Sequence, residues 1–191
     1  MGPQPILETE RLILRPFKLS DAEKVQELAG DKRIASTTLN IPHPYDDGMA
    51  EGWINTHEEK YKNGKGIVYA ITSKDDGELI GAISLNKLID HHAAELGYWI
   101  GVPYWNNGYC TEAGKAVLKY AFQEVELNRV YALYLSRNPA SGRVLEKLGM
   151  VHEGTLRKHV LKWGVYEDLE YVGILRSEWK KTGSHDPVSS P

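Results

Sequence analysis

Glu95-Leu-Gly-Tyr-Trp-Ile100, the turn Pro103-Tyr-Trp-Asn-Asn-Gly108 and the run Asn128-Arg-Val-Tyr-Ala-Leu-Tyr-Leu135 frame the part of the chain that decides its fold. Between the turn and the second run, Ala113, Ala116, Val117, Tyr120, Ala121 and Val125 recur at helical spacing, which predicts a helix from about Thr111 to Glu126. The run from Asn128 is almost continuously apolar, as a strand covered on both faces must be. Strand, crossover helix and strand together predict parallel pairing. Asn138-Pro139 then offers an N-cap followed by Pro at the first helical position. Val144, Leu145 and Leu148 supply the buried stripe of that helix, and Gly149 ends it.

Upstream, Ile67-Val-Tyr-Ala-Ile71 and Leu79-Ile-Gly-Ala-Ile-Ser-Leu85 flank Asp75-Asp-Gly77, which predicts a β-hairpin. Met49, Trp53, His57 and Tyr61 recur every four residues and predict a helix from about Asp47 to Lys62. Ser20-Asp-Ala-Glu23 reads as a capping box ahead of the stripe Ala22, Val25, Leu28 and Ala29, with Gly30 as the stop. Glu8 to Phe17 alternates and reads as one strand with Arg11, Ile13 and Arg15 on a single face. Downstream, Val151 to Leu175 reads as a long hairpin turning near Trp163-Gly164, and residues after Lys181 as a disordered tail. The expected order is β-α-α-β-β-β-α-β-α-β-β. This is one α+β domain over residues 1–181, a mixed sheet flanked by helices.

The chain has 191 residues, with 23 Lys+Arg against 26 Asp+Glu and a net charge of −3. That balance argues against strong nucleic-acid binding, which needs a basic excess. One cysteine excludes an intrachain disulfide and a multi-cysteine zinc site. No apolar run reaches the roughly 18 residues of a membrane helix, and Met-Gly-Pro-Gln-Pro does not open like a secretory signal. The expectation is a cytoplasmic protein that binds no membrane and no metal. P-loop, dinucleotide and nucleophile-elbow motifs are absent, and His57-Glu58 lacks the second histidine of a zincin helix. His91 and His92, adjacent on what reads as an extended segment, would point to opposite faces.

Two stretches carry chemistry. Trp105-Asn-Asn-Gly-Tyr-Cys-Thr-Glu-Ala113 passes from strand to helix, and a helix start with a glycine can bind phosphate through free amides. It also reads as a plain turn with Thr111 as N-cap. Asn138 and Ser141 begin the next helix at the carboxyl end of the neighbouring strand, where ligands of open α/β sheets bind. Alone they equally read as a cap and a solvated hydroxyl.

Together with Glu8-Thr-Glu-Arg-Leu-Ile-Leu-Arg-Pro16, these stretches make the chain from about Ile6 to Trp179 resemble the GNAT N-acetyltransferase superfamily. The similarity is to its branch of ribosomal-protein N-terminal (serine/alanine) acetyltransferases. The resemblance implies acetyl-CoA as cosubstrate, lodged between two parallel strands that splay apart. It assigns the pantetheine arm to backbone near Ile100 and Val102 and to Asn138. It assigns the pyrophosphate to the amides of Asn106, Asn107, Gly108, Tyr109, Cys110 and Thr111. Trp105 stands where the family has Arg or Gln, and Cys110 where it has Gly or Ala; the larger Cys110 would lower cofactor affinity or offer a reactive thiol. Ser141 corresponds to the hydroxyl that protonates departing CoA.

An ammonium must lose a proton before it attacks a thioester, and Glu95 is the candidate base, placed before a bulge expected at Gly97. It also reads as the polar member of an alternating strand. An amide in the Tyr98–Ile100 region is expected to hold the thioester oxygen. His43, Tyr45, Trp53, Glu153, Arg157 and His159 are candidates for the acceptor entrance. The expected acceptor is a protein or peptide N-terminus. A polyamine or aminoglycoside, a non-catalytic acetyl-CoA sensor and a ribosome-associated binding module are the other readings. Trp-rich surfaces and the late hairpin would permit a homodimer.

Overall fold

Eight strands form one mixed sheet in the spatial order β1-β2-β3-β4-β5-β6-β8-β7. The computed structural model describes residues 2–89 and 91–182. In chain order the elements are β1 (Leu7–Glu8), β2 (Leu12–Arg15), α1 (Ala22–Ala29), α2 (Lys32–Thr37), α3 (Met49–Lys62), β3 (Gly66–Ser73) and β4 (Leu79–Ile89). They continue as β5 (Ala93–Ile100), α4 (Tyr109–Gln123), β6 (Arg129–Leu135), α5 (Pro139–Lys147), β7 (Val151–Lys162), β8 (Val165–Leu175) and α6 (Arg176–Thr182).

The helices divide between the two faces of the sheet. Ala113, Val117, Leu118, Ala121 and Phe122 of α4 pack with Leu145 of α5 onto Leu12, Leu14, Ile83, Leu85 and Leu96. On the other face, Val25 and Leu28 of α1, Ile34 of α2 and Ala50 and Ile54 of α3 pack onto Ala70, Ala82 and Trp99. Each fully buried Leu, Val or Phe stabilises the layer by about 2 kcal/mol.

The joint between β5 and β6 shapes the molecule. Their parallel pairing has three rungs, Ala93↔Arg129, Ala94↔Val130 and Glu95↔Tyr131, and then stops. β5 stays paired with β4 as far as Gly81↔Ile100, and β6 with β8 as far as Leu135↔Leu169. From Leu96 and Ala132 onward the two strands diverge, so the splayed pair expected from the sequence is present.

Several expectations are corrected. The opening strand is broken: Thr9 accepts the Leu12 amide on its hydroxyl and turns β1 back onto β2. The Ser20–Glu23 capping box does not form; a 3-10 turn, Leu19–Asp21, precedes α1, and Asp21 accepts the Lys18 amide and both Arg15 nitrogens, each at 2.8 Å. The short α2 has no counterpart in the sequence pattern, because six residues ending in Ser-Thr show no helical period. The buried stripe of α3 is Ala50, Ile54 and His57, while Met49 is exposed. Gly97 carries no bulge: it pairs in register with Ser84, and the irregularity falls between Asn86 and Ile89. His91 and His92 occupy the turn between β4 and β5, with His92 at φ 51°, instead of an extended segment. The hairpin turn at Trp163-Gly164 is as expected, while the tail beyond Thr182 lies outside the described residues. Among the described residues no helix is long and apolar enough to cross a membrane, and no group of three His, Cys, Asp or Glu side chains is placed to hold a metal.

Candidate active site

The start of α4 is a loop of exposed amides. Asn106 and Gly108 take left-handed φ values of 63° and 78°, so the chain turns sharply twice around Asn107. The Asn107 side chain steadies the loop by donating to the carbonyls of Tyr104 (3.2 Å) and Trp105 (3.1 Å). The helix begins at Tyr109 with Gly108 as N-cap, two residues before the start expected from Thr111. Among the described residues, no protein acceptor takes the amides of Asn106, Asn107, Gly108, Tyr109, Cys110 or Thr111. Aligned amides at a positive dipole end bind anions. The cradle residues therefore fit a pyrophosphate.

Glu112, in the first turn of α4, ties this loop to the corner between β1 and β2. Its carboxylate accepts the Thr9 hydroxyl (2.6 Å), the Arg11 amide (2.8 Å) and Arg11 Nε (2.7 Å). Burial raises the Glu112 pKa, but these donors outweigh it and hold the carboxyl below its ordinary range. Arg11 then lies over the Tyr109 ring, 4.7 Å from its centre, adding a cation to the edge of the loop. No local sequence signal marks this pair, whose members lie about a hundred residues apart.

Trp105, at the family's Arg/Gln position, donates its indole N–H to Ile100 O at 2.7 Å. The Gly101 amide bonds Ile80 O on β4. By strand alternation the main-chain groups of Ile100, Tyr98 and Leu96 therefore point the other way, into the fork. With the Ile100 carbonyl occupied, Tyr98 offers the unengaged pair there. Val102 lies past the strand in a 3-10 turn, its carbonyl taken by the Trp105 amide. Asn138 also has internal partners: Oδ1 accepts the Ser141 amide (3.3 Å) and Nδ2 donates to Thr37 O (3.4 Å). Cys110 packs against the α4-side core, and burial pushes its thiol pKa up, away from thiolate reactivity.

The two candidate catalytic groups lie on opposite faces of β5. Tyr98 points toward α4 and α5, where its hydroxyl meets Ser141 Oγ at 2.7 Å and Ser141 O at 3.2 Å. Burial keeps the Tyr98 phenol protonated. Tyr98 is a functional candidate that sequence reasoning missed; its period-two companionship with Leu96 and Ile100 places it on the helix face. Glu95, three residues away, faces the other side and lines a cleft of about 720 Å³ with Trp53, His57, Lys60, Ser84 and Asn86 among its walls. The other entrance candidates do not gather there. His43 lies tilted against Trp163 with ring centres 6.1 Å apart, Tyr45 packs with α1, Glu153 pairs with Arg129, and Arg157 and His159 line a separate depression on β7.

A forked sheet with an amide-lined helix start beside the fork is the GNAT arrangement, and residues 11–151 match the family model described as an acetyltransferase (GNAT) domain. The chain belongs to the GNAT acetyltransferase family. It is 33% identical over 173 residues to the Bacillus subtilis protein named uncharacterized N-acetyltransferase YoaA, covering 90% of this chain and 97% of that one. It is 26% identical to the Escherichia coli [ribosomal protein uS5]-alanine N-acetyltransferase, covering 93% of this chain and 94% of the relative. The crystal structure of a Bacillus anthracis GNAT acetyltransferase superposes with a TM-score of 0.81 at 29% identity, covering 91% of this chain and all of that one. This GNAT protein is accordingly an acetyl-CoA-dependent N-acetyltransferase.

Proposed function

We propose that residues 1–181 act as one catalytic domain that moves the acetyl group of acetyl-CoA directly onto a protein or peptide N-terminal amine. One observation carries the reading. Rung pairing of β5 and β6 ends at Glu95↔Tyr131, so Glu95 on one face and the Tyr98–Ser141 pair on the other flank the point where the gap opens.

In this reading the amides of Asn106 to Thr111 hold the pyrophosphate and the Tyr98 main chain pairs with the pantetheine arm as an added strand would. Ile100, Val102 and Asn138 shape the passage. Glu95 receives the ammonium proton, directly or through one water, leaving a nucleophilic amine. The amine nitrogen bonds the thioester carbon, a backbone amide near Tyr98 steadies the developing oxyanion, and the C–S bond breaks. Ser141, oriented by Tyr98, gives its hydroxyl proton to the departing thiolate and takes in its place the proton that the nitrogen loses as it becomes a neutral amide.

A peptide acceptor is supported by the cleft walls, where the side-chain amides of Asn40 and Asn63 are of the kind that pair with main chain. It is also supported by the substrate named for the uS5-alanine acetyltransferase relative. The test is a CoA-release screen with Ser- and Ala-starting peptides, spermidine and aminoglycosides. Peptide turnover is expected; turnover confined to the small amines overturns the acceptor, and failure to bind CoA by calorimetry overturns the whole reading.

A further inference from the structure

The Lys60 stem runs close over Gly66 on its way to the acceptor cleft. A Cβ on Gly66 would fall 2.7 Å from Lys60 Cε and 2.7 Å from Leu85 O, so the head of β3 packs closely here as glycine. Past that point Lys60 Nζ donates to Asn86 Oδ1 at 2.6 Å, and Asn86 Nδ2 donates to Ser84 Oγ at 2.9 Å. The ammonium is thus held in place on the β4 side of the cleft. Asn86 and Glu95 are a cross-strand pair, and the Glu95 carboxylate acts on Lys60 through space, opposing the loss of its proton that burial favours.

The charges around this cleft are balanced. Glu59 and Lys65 are exposed at its rim, while Glu95 and Lys60 are half-buried within it. His57 is 7% exposed with neither ring nitrogen hydrogen-bonded, and burial, with Lys60 nearby, lowers its pKa to about 4, so it adds no positive charge at neutral pH. The inner cleft therefore offers one carboxylate and one ammonium side by side. An acceptor with a single amine beside a carbonyl oxygen complements that pair. An acceptor with a second ammonium a few bonds from the first meets Lys60 head-on.

We infer that Lys60 is a specificity-determining residue of the acceptor site, which turns away diamines and polyamines and donates to a carbonyl oxygen beside the reacting amine. The inference rests on the reading that this cleft takes the acceptor.

The test compares wild-type protein with Lys60→Gln, Lys60→Glu and Lys60→Arg, measuring CoA release with a Ser-starting peptide and with spermidine. Calorimetric CoA binding checks that each variant is folded. The expected result is a spermidine-to-peptide ratio of kcat/KM that rises about 10-fold in Lys60→Gln and about 100-fold in Lys60→Glu, and holds in Lys60→Arg. A ratio unmoved in the first two, with the wild type active, overturns the role of Lys60 alone. A wild type that binds CoA but acetylates neither amine overturns the reading of the cleft, and the Lys60 assignment with it.

Discussion

The hydroxyls of Tyr98 and Ser141 stand 2.7 Å apart and join β5 to the first turn of α5 across the gap between the two parallel strands. The contact places a protonated phenol behind the hydroxyl proposed to protonate the leaving thiolate. Ser141→Ala is expected to lower kcat about 100-fold with little change in the KM for acetyl-CoA. Tyr98→Phe leaves the serine in place but frees its rotamer, and a fall of about 10-fold in kcat is expected. Steady-state kinetics at saturating acetyl-CoA read both; a Tyr98→Phe enzyme with wild-type kcat would remove the pair from the mechanism.

Glu95→Gln keeps the shape of the cleft and removes the carboxylate proposed as proton acceptor. A drop in kcat of about 100-fold is expected with a peptide acceptor, because general bases contribute on that scale. Raising the pH should recover part of the loss, as more of the acceptor amine is then already unprotonated. Equal activity of the two proteins from pH 6 to 9 would rule the residue out as base.

Gly108 adopts φ 78°, which costs an L-residue about 1–2 kcal/mol. Gly108→Ala should weaken CoA binding about 10-fold by calorimetry, since the strain bears directly on the amide loop. Gly164, at φ 82° in the tip of the late hairpin with nothing within 4 Å of an added Cβ, is the control. Gly164→Ala should carry similar strain and leave CoA affinity unchanged.

His57 is buried between Phe17 and Trp53, whose ring centres lie 5.4 and 4.4 Å from its own. Burial lowers its pKa from 6.5 to about 4, so the unfolded chain binds a proton that the folded one refuses. The stability tied to this histidine is complete above pH 6.5 and is lost as pH falls toward 4, a total of about 3 kcal/mol. Asp21, also lowered, acts in the same direction but below its ordinary value of 3.8, so the two windows are separate. Urea denaturation from pH 7 to 4 should show the slope in wild type and a flatter profile in His57→Phe, which keeps the ring packing.

The strand–helix–strand core was legible because its signal is local: a period change after Ile100, a turn at Asn107-Gly108, and a cap at Asn138-Pro139. The amide loop was legible for the same reason, although Thr111 resembles an N-cap and the helix start is set by Gly108. What stayed hidden joins residues far apart in the chain. Arg11 and Glu112, Tyr98 and Ser141, and Lys60 and Asn86 meet only because the sheet order brings their strands and helices together. The four-residue spacing on α3 finds part of its buried side, since His57 is buried with Ala50 and Ile54, Trp53 packs beside them, and Met49 is exposed. His43, Glu153, Arg157 and His159 have the chemical type of an acceptor entrance, and type does not say which side of the molecule a loop will reach.

Leu96–Ile100 and Ala132–Leu135 present two open backbone edges to each other within a single chain. On a protein's rim such edges recruit foreign strands and seed aggregates. Here three rungs hold them at one end, and α4 and α5 cover the face that carries Leu96, Ile100 and Ala132. Something slender and extended, with amides of its own, would complement both edges. The fold thereby converts a hazard into a gauge that measures the thickness of what enters, before any side chain tests its chemistry.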